Sequence, residues 1–216
     1  RLPRDHEPVC QRGEHGRPQF RVAVGRQQRL GPPMGGQRRT HVARGPQDLP
    51  VRVFGLGSDR RWHLGQRQRL ANEAERLIEV TYEAMMRGIA VIKPGARVGD
   101  IGHAIQKYAE SERCSVVRDF CGHGLGLVFH DKPNILHYGT QGEGVTLEPG
   151  MLFTVEPMIN LGKPHVKMLS DGWTAVTRDR SLSAQFEHTV GVTDRGVEVF
   201  TYSPRGFHKP PYPGQL

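Results

Sequence analysis

The chain has 216 residues, enough for one domain or a domain and a half, and a formal net charge of +8. It contains no run of 18 apolar residues, which excludes a membrane-spanning helix. The charge is lopsided: residues 1–69 hold fifteen arginines, no lysine and five acids, a net of +10, so residues 70–216 carry −2 and the basic pI says nothing about their partners.

The first third departs from the rest in more than charge. Residues 1–69 lack Lys, Ile, Asn and Tyr altogether and are crowded with Arg, Gly, Gln and Pro. The longest apolar-rich run, Leu49 to Phe54, is too short to establish a period. Three readings fit: a basic arm for nucleic acid, a plain flexible extension, or a GC-rich gene read out of frame. The third accounts best for the missing residue types, which are those with A/T-rich codons. Aromatic interleaving is absent, so nucleic acid is not the expected partner. The opening RLPRDHEPVC carries no signal peptide and no initiator Met, which fits a truncated start. Cys10, Cys114 and Cys121 form no even framework, so a reducing, cytosolic setting is expected.

Periodicity begins near Asn72, a fitting N-cap with Glu75 three residues on. Leu77, Thr81, Ala84, Met85 and Gly88 then form one apolar-to-small stripe, with Glu79, Glu83 and Arg87 on a wetter face. Lys93-Pro94-Gly95 ends this helix. A second helix is predicted over Val98–Ser111, burying Ile101, Ala104, Ile105 and Tyr108 and leaving His103 outside. Ser115 to Asp119 reads as a short strand that delivers the chain to FCGHGLGLVFH, Phe120 to His130. There the glycines suit a turn that could present His123 and His130 to a metal or a substrate carbonyl. A Pro- and Asn-containing loop, DKPNILHYG, follows.

Two strands come next, each with a carboxylate in its middle. In Met151–Ile159, Leu152, Thr154 and Glu156 share a face; in Ser183–Val192, Gln185, Glu187 and Thr189 do. A carboxylate inside an apolar strand is costly unless something pairs with it, though each alone could face water from an edge strand. Between them, Lys167–Arg178 is predicted to be a hairpin turning at Asp171-Gly172. Ser203–Leu216, rich in Pro and Gly, reads as a loose tail. One His and two Glu make a hard, mostly oxygen donor set of the kind that holds Mn, Fe, Co or Zn in hydrolytic sites.

Three motifs, FCGHGLGLVFHDKPNILHYG, LEPGMLFTVEPMIN and DGWTAVTRDRSLSAQFEHTVGVTD, in colinear order between about Ala74 and Thr201, resemble the type I methionine aminopeptidases. The resemblance implies an α/β "pita-bread" fold, of which only the C-terminal half is clearly present. It divides the chain into the basic segment 1–69, a catalytic half at 70–202 and the tail 203–216. It implies that His123, Glu156 and Glu187 are metal ligands and that Glu156 also shuttles protons. His130 would contact the substrate carbonyl, and Phe129 and Trp173 would line the methionine pocket. The activity it implies is metal-dependent removal of the N-terminal Met from nascent proteins in the cytoplasm, with the ribosome as an expected place of action and a monomer as the expected state. The family's site holds two divalent ions; the three ligands here support one. The family's remaining ligands, two Asp in patterns like NIDVT and DGxxGDTS, and a further substrate-binding His, have no counterpart in residues 1–69, where Asp59 lacks a strand around it. Leu127-Val128 also departs from the smaller or more polar pair expected there. A catalytically inactive remnant, or a non-specific nucleic-acid binder acting through the arginine-rich arm, are the alternative readings.

Overall fold

The computed structural model describes residues 64–206 and Lys209, together with the backbone of two short paired strands, β1 (Val22–Ala23) and β2 (Val53–Phe54). The expectations for the remainder of residues 1–63 and for most of the tail lie outside the described residues. Helix α1 spans Leu64–Ala90 and α2 spans Val98–Ser111. The second matches its sequence-derived bounds. The first starts eight residues before the expected cap: Asn72 is an interior helical residue, its side-chain oxygen accepting from Gln68 Nε2 at 2.8 Å. Gln68 and Arg69 in the added stretch are exposed, and Arg69–Glu73 at 3.1 Å adds an exposed i,i+4 pair worth a few tenths of a kcal/mol.

The stripe predicted for α1 is buried throughout, with Leu77, Thr81, Ala84 and Met85 at 0% exposure. On α2 the buried line is Ile101, Gly102, Ile105 and Ala109, so it runs slightly to one side of the predicted one; Ala104, Tyr108 and His103 are half-buried. The start of α2 is fixed by Asp100, whose carboxylate accepts from the Arg97 N–H and from the Gly142 N–H, both at 2.7 Å. These two backbone bonds hold its pKa below the usual range.

Ten further strands follow: β3 (Ser115–Val116), β4 (Gly122–Gly124), β5 (Asp131–Ile135), β6 (Leu152–Val155), β7 (Met158–Asn160), β8 (Val166–Met168), β9 (Ala175–Thr177), β10 (Ser183–Gln185), β11 (His188–Thr193) and β12 (Gly196–Val199). A five-stranded sheet has the order β12-β11-β6-β4-β5, and a three-stranded sheet the order β10-β7-β3. The stretch DKPNI, expected as loop, is the edge strand β5; Pro133 is tolerated there because an edge strand can spare a donor. The hairpin β8–β9 forms as predicted. Gly172 takes φ +66° at its tip, and Asp171 accepts from the Trp173 and Thr174 N–H groups at 3.0 and 2.9 Å.

The two long strands expected at 151–159 and 183–192 are each broken. β6 belongs to the five-stranded sheet and β7 to the three-stranded one, and the chain passes between them at Glu156-Pro157. β10 and β11 repeat the crossing in reverse at Phe186-Glu187. Because Val155 pairs with His188 and Met158 with Gln185, the two crossings lie opposite one another. Phe153, Val155, Ile159, Ala184 and Val190 from both sheets join Leu77, Met85, Ile101 and Ile105 from the helices in one core.

Candidate functional site

The glycines of the CGHG motif act differently from the turn expected of them. Gly122 and Gly124 flank His123 within β4, in extended backbone, and a Cβ on either would run into a carbonyl oxygen of a neighbouring strand, Thr154 for Gly122 and Lys132 for Gly124. They are glycines because two backbones close in on His123 from both sides. The turn proper is Leu125–His130, after the strand.

His123 is 4% exposed. Its Nδ1 lies 3.0 Å from the Gly124 carbonyl oxygen, which can only accept, so Nδ1 carries the proton and Nε2 is left as a lone-pair donor. That Nε2 stands 3.8 Å from Glu156 Oε1. Thr154 ties the two together: its Oγ1 accepts from the His123 N–H at 3.0 Å and donates to Glu156 Oε1 at 2.7 Å. Gln185 Nε2 donates to Glu156 Oε2 and to its carbonyl oxygen, both at 3.4 Å. His130 and Phe129 complete a ring cluster, with centroids 4.4 Å and 5.3 Å from that of His123. Trp173 makes none of these ring contacts; it stands exposed at the hairpin tip.

Charge is in short supply here. Burial pushes the Glu156 carboxyl up to about 8, and the neighbouring Glu187 charge adds to the rise. Burial likewise raises Glu187, partly offset by His123. His130 is lowered by burial and by His123. Among the described residues no lysine or arginine forms an ion pair with either glutamate. Nor do three acidic, His or Cys side chains there close on one point as an ion would require. The structure thus joins His123 to Glu156 directly and sets Glu187 within electrostatic reach of both. Two half-buried carboxyls and one lone-pair imidazole, with no cation of the protein's own paired to them among the described residues, suit a divalent ion.

Three residues at the site escaped the sequence reading. Thr154 and Gln185 could have been found, since each shares a strand face with a glutamate. His137 had no such signal. It is fully buried, its pKa pushed down to about 3 by burial, and its Nε2 accepts the Glu156 N–H at 3.0 Å.

Comparison with known proteins decides the family: the model of "Metallopeptidase family M24" matches residues 58–194. The chain belongs to metallopeptidase family M24. It is 59% identical over 169 residues to the methionine aminopeptidase of Rickettsia prowazekii, covering 76% of this chain and 64% of that one. With methionine aminopeptidase B of Synechocystis the figures are 53% over 156 residues, 71% and 56%. Among solved structures, methionine aminopeptidase from R. prowazekii matches at 62% identity with a TM-score of 0.60, covering 61% of this chain and 53% of that one. That from Thermotoga maritima matches at 46% with a TM-score of 0.59, covering 60% and 52%. The chain therefore has the fold of these M24 peptidases over its matched part and spans about half to two thirds of their length. No helix among the described residues is long and apolar enough to cross a membrane.

Proposed function

We propose that this chain is a metal-dependent methionyl aminopeptidase, acting on the N-terminal Met of newly made proteins in the cytosol. The observation that carries the reading is the pairing of His123 with Glu156 at one sheet crossing while Glu187 stands at the opposite one. His123 Nε2 and the Glu156 and Glu187 carboxylates would hold the ion, of the Mn, Fe, Co or Zn class. Such an ion polarises a carbonyl and lowers the pKa of water, the two needs of amide hydrolysis.

The remaining work falls to side chains. His130 is kept neutral at pH 7 by its lowered pKa, so it has one N–H to give the scissile carbonyl oxygen and can stabilise charge developing there. Glu156, beside the place of the ion, would take the proton of the attacking water and pass it to the leaving amine. Phe129, largely exposed beside His130, offers an apolar ring to the methionine side chain, and Trp173 is the second candidate for that wall. Cys114, a buried free thiol, suits a reducing compartment.

A second reading, an ion-binding chain without turnover, is favoured by one observation: neither Asp motif occurs in residues 1–69. Hydrolysis of a Met-Ala-Ser peptide by the full chain with Mn²⁺ or Co²⁺, followed as free methionine, separates the two. Cleavage that falls at least 100-fold in His130→Ala supports the peptidase; ion binding with no cleavage supports the second reading.

A further inference from the structure

His137 lies two residues beyond β5, on the opposite edge of the five-stranded sheet from β12. Its buried ring reaches across to the end of β6, where its Nε2 accepts the Glu156 N–H at 3.0 Å. That amide sits one residue past the last paired position of β6, Val155, so the bond stands in place of a ladder partner. The carbonyl of the same residue takes Gln185 Nε2 from the other sheet. Glu156 is thus a residue whose amide and carbonyl are both held by side chains at the place where the backbone changes sheets.

We propose that His137 is a positioning residue: its acceptor nitrogen fixes the backbone at Glu156 and so aims the Glu156 carboxylate at His123 and at the ion the two would share. The inference rests on the metal-binding reading given above. Outer-shell partners of metal ligands commonly act this way, by restricting the ligand's orientation. The rival account is that His137 merely fills the core. The two differ in what they require of a replacement. Filling space needs volume; holding an amide needs an acceptor at the right reach.

The test compares His137→Gln, whose Oε1 can stand near the position of Nε2, with His137→Leu, which keeps volume without an acceptor. His137→Asn, whose oxygen falls short, serves if the leucine variant does not fold. Mn²⁺ affinity of the full chain is measured by titration calorimetry, alongside melting of the metal-free protein and hydrogen exchange at the Glu156 amide. The expected result is a Kd raised about tenfold in the leucine or asparagine variant and changed by less than about threefold in the glutamine variant. The Glu156 amide stays protected in the glutamine variant and loses protection in the others. Equal weakening in all variants overturns the proposal, as does a lowered melting temperature with Mn²⁺ affinity untouched. A wild-type chain that binds no Mn²⁺ removes the metal-binding reading first, and this inference with it.

Discussion

The carboxyl of Glu156 should weigh against folding whenever it is ionised without a cation beside it, and Glu156→Gln isolates that cost. In the folded chain the group ionises near 8, against an ordinary value of 4.5. A carboxyl whose folded pKa lies above its unfolded one leaves the metal-free protein most stable, as far as this group is concerned, below pH 4.5. Stability is then lost as pH rises towards 8. By pH 8.5 the loss amounts to ~4–5 kcal/mol, at 1.36 kcal/mol per pKa unit. Glutamine has the same shape, can still accept from Thr154 Oγ1, and never ionises. Urea unfolding in EDTA should therefore give nearly equal stabilities for wild type and variant at pH 4, with the variant pulling ahead by ~4–5 kcal/mol at pH 8.5. Mn²⁺ at about 100 times its Kd should narrow that gap by ~2.7 kcal/mol, by stabilising only the wild type. Parallel curves from pH 4 to 8.5 would refute the reasoning, because they would mean that Glu156 is solvated.

Mn²⁺ at about 100 times its Kd should stabilise the wild type by ~2.7 kcal/mol and release about one proton at pH 7, seen as a buffer-dependent heat. Glu187→Ala should abolish the thermal shift, and His130→Ala should leave it nearly intact, since that ring serves the substrate. Gly124→Ala should cost about 1–3 kcal/mol in urea unfolding because its methyl meets the Lys132 backbone. Gly126→Ala meets only the flexible end of Asp131, at 2.7 Å, and should stay within ~0.5 kcal/mol. Trp173→Ala should leave stability within ~0.5 kcal/mol and raise KM for Met-Ala-Ser; an unchanged KM removes Trp173 from the methionine pocket.

The helical part of the fold was legible because burial there repeats every 3.6 residues, so α2 could be found from the stripe of Ile101, Ala104, Ile105 and Tyr108. The start of α1 was hidden because Gln66 to Arg69 include no apolar residue to set a period. The glutamates were found as carboxylates within apolar strands. The breaks beside them were not, since a period of two runs through the sequence on either side even though the chain changes sheets. Pro157 was the visible sign, as a residue that cannot donate to a ladder. Gly122 and Gly124 were recognised as special for the wrong reason: a sequence shows that a Cβ is missing, not whether the space is needed for a turn or for a neighbouring strand. His137 could not have been found, because its role depends on β5 lying two strands away from β6, a long-range pairing with no local trace.

The hairpin β8–β9 leaves the three-stranded sheet after β7 and returns at β10, and those two strands are laced together at Ser183–Asn160, Ala184–Ile159 and Gln185–Met158. Everything between Leu161 and Leu182 is therefore an excursion closed off by a clasp before the chain reaches Phe186-Glu187. Its length is decoupled from the glutamates, so segments could be grafted or lengthened at Asp171-Gly172 without moving either carboxylate. Tailoring of the hairpin tip and preservation of the centre are, in this architecture, separate engineering problems.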